Sequence, residues 1–181
     1  MVRNWLIGAV AVAGLVALFW STARGPQTGA VRAGLQAPAF SLPSTDGRTV
    51  TLASLAGRNT LLYFNEGVGC DPCFTQMVEL QQQQAQLDRL GITLIPVMTN
   101  SAAMVAQEMQ RFRLGYPALI DASKSVSGAY GTLGTGHHAD QPGHSFILID
   151  KAGAIRWRGD YPGMYVSAGE LLTKLQDALG A

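Results

Sequence analysis

The chain has 181 residues, 48% of them hydrophobic and only 14% charged, with 13 Lys and Arg set against 12 Asp and Glu for a net charge of +1. The cations are scattered and never form a block of five or six, which excludes a basic groove and with it nucleic-acid binding. The apolar share excludes a disordered chain. The length fits one domain of about 150 residues plus a short extension, large enough to hold together without metals or disulfide staples.

Asn4 to Ala23 carries no charge and is bounded by Arg3 and Arg24. Twenty helical residues at ~1.5 Å each reach across the ~30 Å hydrocarbon core of a bilayer. Trp5 and Trp20 sit near its ends, where amphipathic rings favour the interface. The segment is long for a signal peptide, so residues 1–23 are expected to be a transmembrane anchor. The alternative is a signal segment cleaved after Ser21-Thr22-Ala23. Either reading exports the rest: a single-pass membrane protein with its domain on the extracytoplasmic side, or a periplasmic or secreted one. Residues 24–37, rich in Gly, Ala and Gln, are expected to be a flexible tether, and 38–181 the folded domain.

The pattern becomes regular from Pro38. FSL and TVTL around Asp46-Gly47 read as a small hairpin. Asn59–Asn65 and Ile92–Met98 are short apolar runs, the mark of strands covered on both faces. Between them a helix is expected from the Cys70-Asp71-Pro72-Cys73 motif to about Leu90, with Phe74, Met77, Leu80, Leu87 and Leu90 as its apolar stripe. Asn100 or Ser101 caps a helix whose Met104, Val105, Met109 and Phe112 are assigned to the core. Pro117–Ile120 is a short strand, and a helical turn runs through Val126 to Tyr130. A Gly-rich loop spans 131–143, and Phe146–Ile149 and Ile155–Arg158 form an antiparallel hairpin. Ser167 to Glu170 is a capping box opening a helix with Leu171, Leu172, Leu175 and Leu179 on one face. This order predicts an α/β fold, a mixed sheet with helices on both faces.

The chain has two cysteines, three positions apart. Random placement would give that spacing about once in ninety trials. The pair lies where a buried strand gives way to a helix. Unpaired N–H groups and the helix dipole there favour a thiolate on Cys70, and Cys73, one turn on, is placed to resolve a mixed disulfide. Pro72 falls near the first helical position, where its missing N–H costs nothing. Asp71 opposes thiolate formation and places the pair nearer the reducing end. Zinc binding lacks ligands at the usual spacing, since His137, His138 and His144 lie over sixty residues away. Phe74, not His, follows Cys73, which excludes c-type haem attachment.

The stretches APAFSLPSTDGRTVTLASLAGRNTLLYF and PGHSFILIDKAGAIRWRGDY, with CDPC between them, resemble the thioredoxin-like superfamily. The nearest branch is the membrane-anchored redoxins of the alkyl hydroperoxide reductase and thiol-specific antioxidant type, and the likeness covers roughly residues 34–180. It implies a thioredoxin-like three-layer sandwich with an N-terminal β-hairpin extension, and thiol–disulfide exchange outside the cytoplasm. Three departures stand out. Gly69 replaces the usual aromatic before the first cysteine. Gly143 occupies the position of the cis-proline, with Pro142 one residue earlier. The Gln141–Pro142 bond is expected to face the cysteines, its isomer left open. The Pro-x-x-x-Thr/Ser-x-x-Cys pattern of peroxiredoxins fits neither register: counting from Cys73 gives Cys70 and Glu66, and counting from Cys70 gives Gly67 and Tyr63.

Glu66 reads first as a solvated loop acid and second as the acceptor of the Cys73 proton during resolution. His137, His138 and His144 read as polar loop residues or, less simply, as metal ligands. Trp157, Tyr161 and Tyr165 read as packing residues. The expectation is an extracytoplasmic thiol–disulfide oxidoreductase that reduces protein disulfides, with Cys70 as nucleophile and Cys73 as resolving thiol. Glu66, Pro72, Pro142 and Gly143 support the site, and no cofactor is needed. Its partners would be protein disulfide clients, a membrane-embedded electron donor, and the membrane itself through residues 4–23. The alternatives are a thiol-dependent peroxidase and a copper-binding assembly factor using Cys70, Cys73 and His144, resembling the anchored thioredoxin-fold factors of cytochrome oxidase.

Overall fold

The two apolar runs, Asn59–Phe64 and Ile92–Met98, are neighbouring parallel strands at the middle of a five-stranded sheet. The computed structural model of the protein describes residues 31–180. The expected anchor at 4–23 lies outside them, and no described helix is long and apolar enough to cross a membrane. The strands are β1 (Ser41–Pro43), β2 (Thr49–Thr51), β3 (Asn59–Phe64), β4 (Ile92–Met98), β5 (Leu119–Ile120), β6 (Ser145–Ile149) and β7 (Ile155–Asp160). The helices are α1 (Asp71–Gln82), α2 (Gln84–Arg89), α3 (Ala102–Arg111), α4 (Ser125–Ala129) and α5 (Ala168–Leu179). The large sheet runs β5-β4-β3-β6-β7, parallel through β5, β4 and β3 and antiparallel through β6 and β7, while β1 and β2 form the predicted separate hairpin.

Every residue of β3 is buried, because successive side chains enter opposite layers. Leu61 and Tyr63 pack with Phe74, Met77 and Leu80 of α1, Val105 and Met109 of α3, and Leu171 and Leu175 of α5. Leu62 and Phe64 pack on the other face with Val126, Tyr130, Phe40, Leu42 and Leu55. That second layer is α4 together with the N-terminal segment and hairpin. Residues 31–37, the end of the stretch read as tether, belong to it: Val31 and Ala37 are buried, and the N–H of Gly34 donates to the Ile155 carbonyl at 2.8 Å. The fold is the expected α/β sandwich.

Two local expectations are corrected. The helix after the cysteines breaks at Gln83 (φ −96°, ψ 14°) into α1 and α2. Between Leu80 and Leu87 the core-facing positions carry glutamines, so no apolar contact holds one continuous axis there. Met104, assigned to the core, is 50% exposed. Five positions at ~100° each turn it away from the face of Met109, which is shared instead by Val105. Ser101 is the cap of α3, its Oγ accepting the Met104 N–H at 3.4 Å.

Candidate functional site

Cys70 is the N-cap of α1, and its sulfur is bonded to that of Cys73, with 5.3 Å between the two Cα atoms. The turn before it is stitched down from both sides: Asn65 Oδ1 accepts the Gly67 N–H, and Asn100 Oδ1 the Val68 N–H, each at 3.0 Å. Gly69 has φ +99°, a conformation that a side chain resists, which accounts for the missing aromatic. Pro72 lies in the first turn, where no intrahelical acceptor awaits its N–H. The two sulfurs differ in access. Cys70 is half-buried and Cys73 is 0% exposed, and the Cys73 N–H points at Cys70 Sγ, 3.3 Å away. Asp71 is paired with Arg111, whose guanidinium also holds Glu108 and lies over the Phe112 ring at 4.3 Å. The charge expected to oppose a Cys70 thiolate is thereby partly balanced.

On the Cys70 side a recess of about 260 Å³ is walled by Glu66, Val68, Asn100, His138, Asp140 and Gln141. Glu66 is no solvated loop acid, since its side chain is 8% exposed. Its Oε1 accepts the backbone N–H of His137 at 2.7 Å and of His138 at 3.2 Å, so one carboxylate ties the end of β3 to the Gly-rich loop. It shares the recess with Cys70, whereas Cys73 does not line it. Glu66 therefore lies on the Cys70 side of the pair.

Behind Cys73 lies a different environment. Tyr63 Oη is 2.9 Å from His144 Nδ1 and 3.5 Å from the Cys73 carbonyl oxygen. Gln76 Oε1 accepts the Val166 N–H at 3.1 Å, so the contact of 3.3 Å to His144 Nε2 assigns that nitrogen the proton, and Nδ1 accepts from tyrosine. His144 is fully buried between Tyr63 and Phe146, and burial pulls its pKa down to about 4. Burial likewise pushes the Tyr63 phenol well above its ordinary range. His144 is thus a core residue engaged on both ring nitrogens. Among the described residues no group of three or more His, Cys, Asp or Glu gathers to hold a metal ion.

Pro142 and Gly143 are buried, with Pro142 bridged to Leu133 and the Gly143 N–H donating to the Thr132 carbonyl at 3.0 Å. The Gln141–Pro142 bond is trans. A Cβ on Gly143 would stand 2.2 Å from the Gly136 nitrogen, so glycine is what lets the two limbs of the loop touch. Gln141, not Pro142, reaches the recess. Sequence reasoning placed Gln141 near the cysteines but missed Asn100 and Asp140 as recess walls, whose places depend on chain returning from distant positions.

Residues 33–158 match the AhpC/TSA family. The chain belongs to that family. Two relatives illustrate the range of this oxidoreductase group. The thiol-disulfide oxidoreductase ResA of Halalkalibacterium halodurans is 30% identical over 125 residues, covering 68% of this chain and 66% of that protein. Peroxiredoxin Bcp of Escherichia coli K12 is 27% identical over 129 residues, 69% of this chain and 83% of the relative. The AhpC/TSA fold is shared with solved structures: peroxidoxin BcpB of Mycobacterium tuberculosis at TM-score 0.70 and 18% identity, covering 81% of this chain and 97% of that one, and AhpC of Enterococcus faecalis at TM-score 0.73 and 17% identity, covering 82% and 92%.

Proposed function

We propose that this domain is a thiol–disulfide oxidoreductase that reduces protein disulfides. The observation that carries the reading is the unequal access of the paired sulfurs, one at a helix cap beside an open recess and the other sealed in the core. In the reduced form, the helix N-terminus and the Cys73 N–H favour the thiolate of Cys70 over its thiol. That thiolate attacks one sulfur of a client disulfide, and the client S–S bond breaks. The second client sulfur leaves as a thiolate and takes a proton from water. Cys73 then attacks Cys70 Sγ, gives up its proton to the other client sulfur as that leaves, and closes the disulfide present here. Two electrons and two protons pass to the client. An external dithiol donor must restore the reduced pair.

Residues 4–23, by their length and lack of charge, support placing the domain on the extracytoplasmic face near a membrane-embedded donor. Protease accessibility of the domain in intact cells, opened only by outer-layer permeabilisation, tests that placement. Turnover tests the chemistry: the reduced full chain should reduce a peptide disulfide, and Cys70→Ser should abolish this.

A second reading, thiol-dependent peroxidase, is favoured by the similarity to peroxiredoxin Bcp over most of that relative's length. Against it stands the absent Pro-x-x-x-Thr/Ser-x-x-Cys pattern, whose positions are occupied by Glu66 and Cys70 or by Tyr63 and Gly67. Oxidation of the reduced protein by peroxide at a rate far above that of a free thiol would establish it.

A further inference from the structure

Glu66, which walls the recess beside Cys70, has one carboxylate oxygen with no protein donor. Both loop N–H groups go to Glu66 Oε1, and among the described residues none donates to Oε2. His138 Nε2, on a mobile-length side chain that is 65% exposed, stands 3.8 Å from it, too far for a hydrogen bond. The other carboxylate of the recess, Asp140, is 78% exposed and holds Lys124 Nζ through Oδ2 at 2.8 Å. No lysine or arginine is among the described residues that wall the recess. A cation brought to that Glu66 oxygen forms the stronger, charge-assisted kind of hydrogen bond.

We propose that this recess is a specificity subsite. Glu66 Oε2 receives the ammonium or guanidinium of a lysine or arginine flanking the client's disulfide, while Cys70 attacks the adjacent sulfur. The inference rests on the thiol–disulfide reading above and gives it a substrate class, disulfides with a basic neighbour. The cation takes no part in electron transfer; it is bound before attack and leaves with the client thiol. The clamp and the subsite use different oxygens of the same side chain, which makes them separable. Glu66→Gln retains an amide oxygen for the two loop N–H groups and replaces Oε2 by an N–H₂ that repels a cation.

The test is kcat/KM of the reduced full chain on three peptide disulfides that differ in one flanking residue, Lys, Gln or Glu. The expected order is Lys above Gln above Glu, with the extremes separated by on the order of tenfold. Acetylating the peptide lysine should erase its advantage with the unaltered protein, an arm that does not depend on any variant folding. In Glu66→Gln the Lys-to-Glu ratio should fall to near one. Equal kcat/KM for the Lys and Glu peptides, or a ratio unchanged in Glu66→Gln, would overturn the subsite while leaving the exchange reading intact. Failure of every peptide to turn over in a Cys70-dependent way would sink both.

Discussion

Tyr63 Oη and His144 Nδ1 meet at 2.9 Å in a part of the core that water does not reach, directly behind the buried cysteine. The sulfur pair is therefore asymmetric in its surroundings as well as its exposure: a polar recess on the Cys70 side, and a neutral, hydrogen-bonded aromatic cluster on the Cys73 side.

The histidine makes stability depend on acidity. Its pKa is about 4 in the fold against 6.5 for the free side chain. Between those values the unfolded chain binds a proton that the folded one refuses, so stability falls as pH drops through this window and the loss ends below about pH 4. From pH 7 to pH 5 this group alone should remove roughly 2 kcal/mol. Urea unfolding at the two pH values should show a smaller loss in His144→Gln; an identical loss would remove His144 as the cause.

Removing the tyrosine hydroxyl leaves His144 Nδ1 without its donor. Tyr63→Phe keeps the ring stacked on Phe146 at 4.3 Å, so the change isolates the hydrogen bond. The oxidised protein should lose about 1–3 kcal/mol in denaturant unfolding, the cost of an unmet buried polar group. A loss below about 0.5 kcal/mol would mean that the hydroxyl serves only to fill space.

Gly143 is required by close approach. A methyl group there would lie 2.2 Å from the Gly136 nitrogen and 2.3 Å from the Thr135 carbonyl carbon, both backbone atoms. Gly143→Ala should cost more than about 3 kcal/mol or displace the loop that Glu66 clamps. Gly163→Ala, with nothing within 4 Å of the added carbon, is the matched control, and it should change stability by less than about 0.5 kcal/mol. Thermal unfolding of the pair of variants decides it.

The exposed Asp71–Arg111 pair stands next to Cys70 in the chain and adds to the field there. Arg111→Ala should slow alkylation of reduced Cys70 at neutral pH by exposing the Asp71 charge, and Asp71→Asn should quicken it. Both changes should be modest, since the pair is exposed to solvent and screened. Alkylation rates that respond to neither would show that the helix terminus dominates.

The sheet was legible because β3 and β4 are apolar runs that only a doubly covered strand explains, and the hairpins announced themselves through Asp46-Gly47 and the Asp150–Gly153 turn. The cysteine pair was legible from spacing and from its place between strand and helix. Glu66 was misread because its environment is made by residues 137 and 138, some seventy positions on, and no local pattern reports such a contact. His144 carried a usable signal: it stands two residues before the apolar run Phe146–Ile149 of the fully buried strand β6. Met104 was misplaced by treating a five-residue spacing as helical repetition.

The most direct test of the account is to reduce the protein, mix Cys73→Ser with a client disulfide, and identify the adduct by mass spectrometry. A mixed disulfide on Cys70 that persists, with none formed by Cys70→Ser, is the predicted result. An adduct captured by Cys73 when Cys70 is replaced, at a rate comparable to that of Cys70, would contradict it.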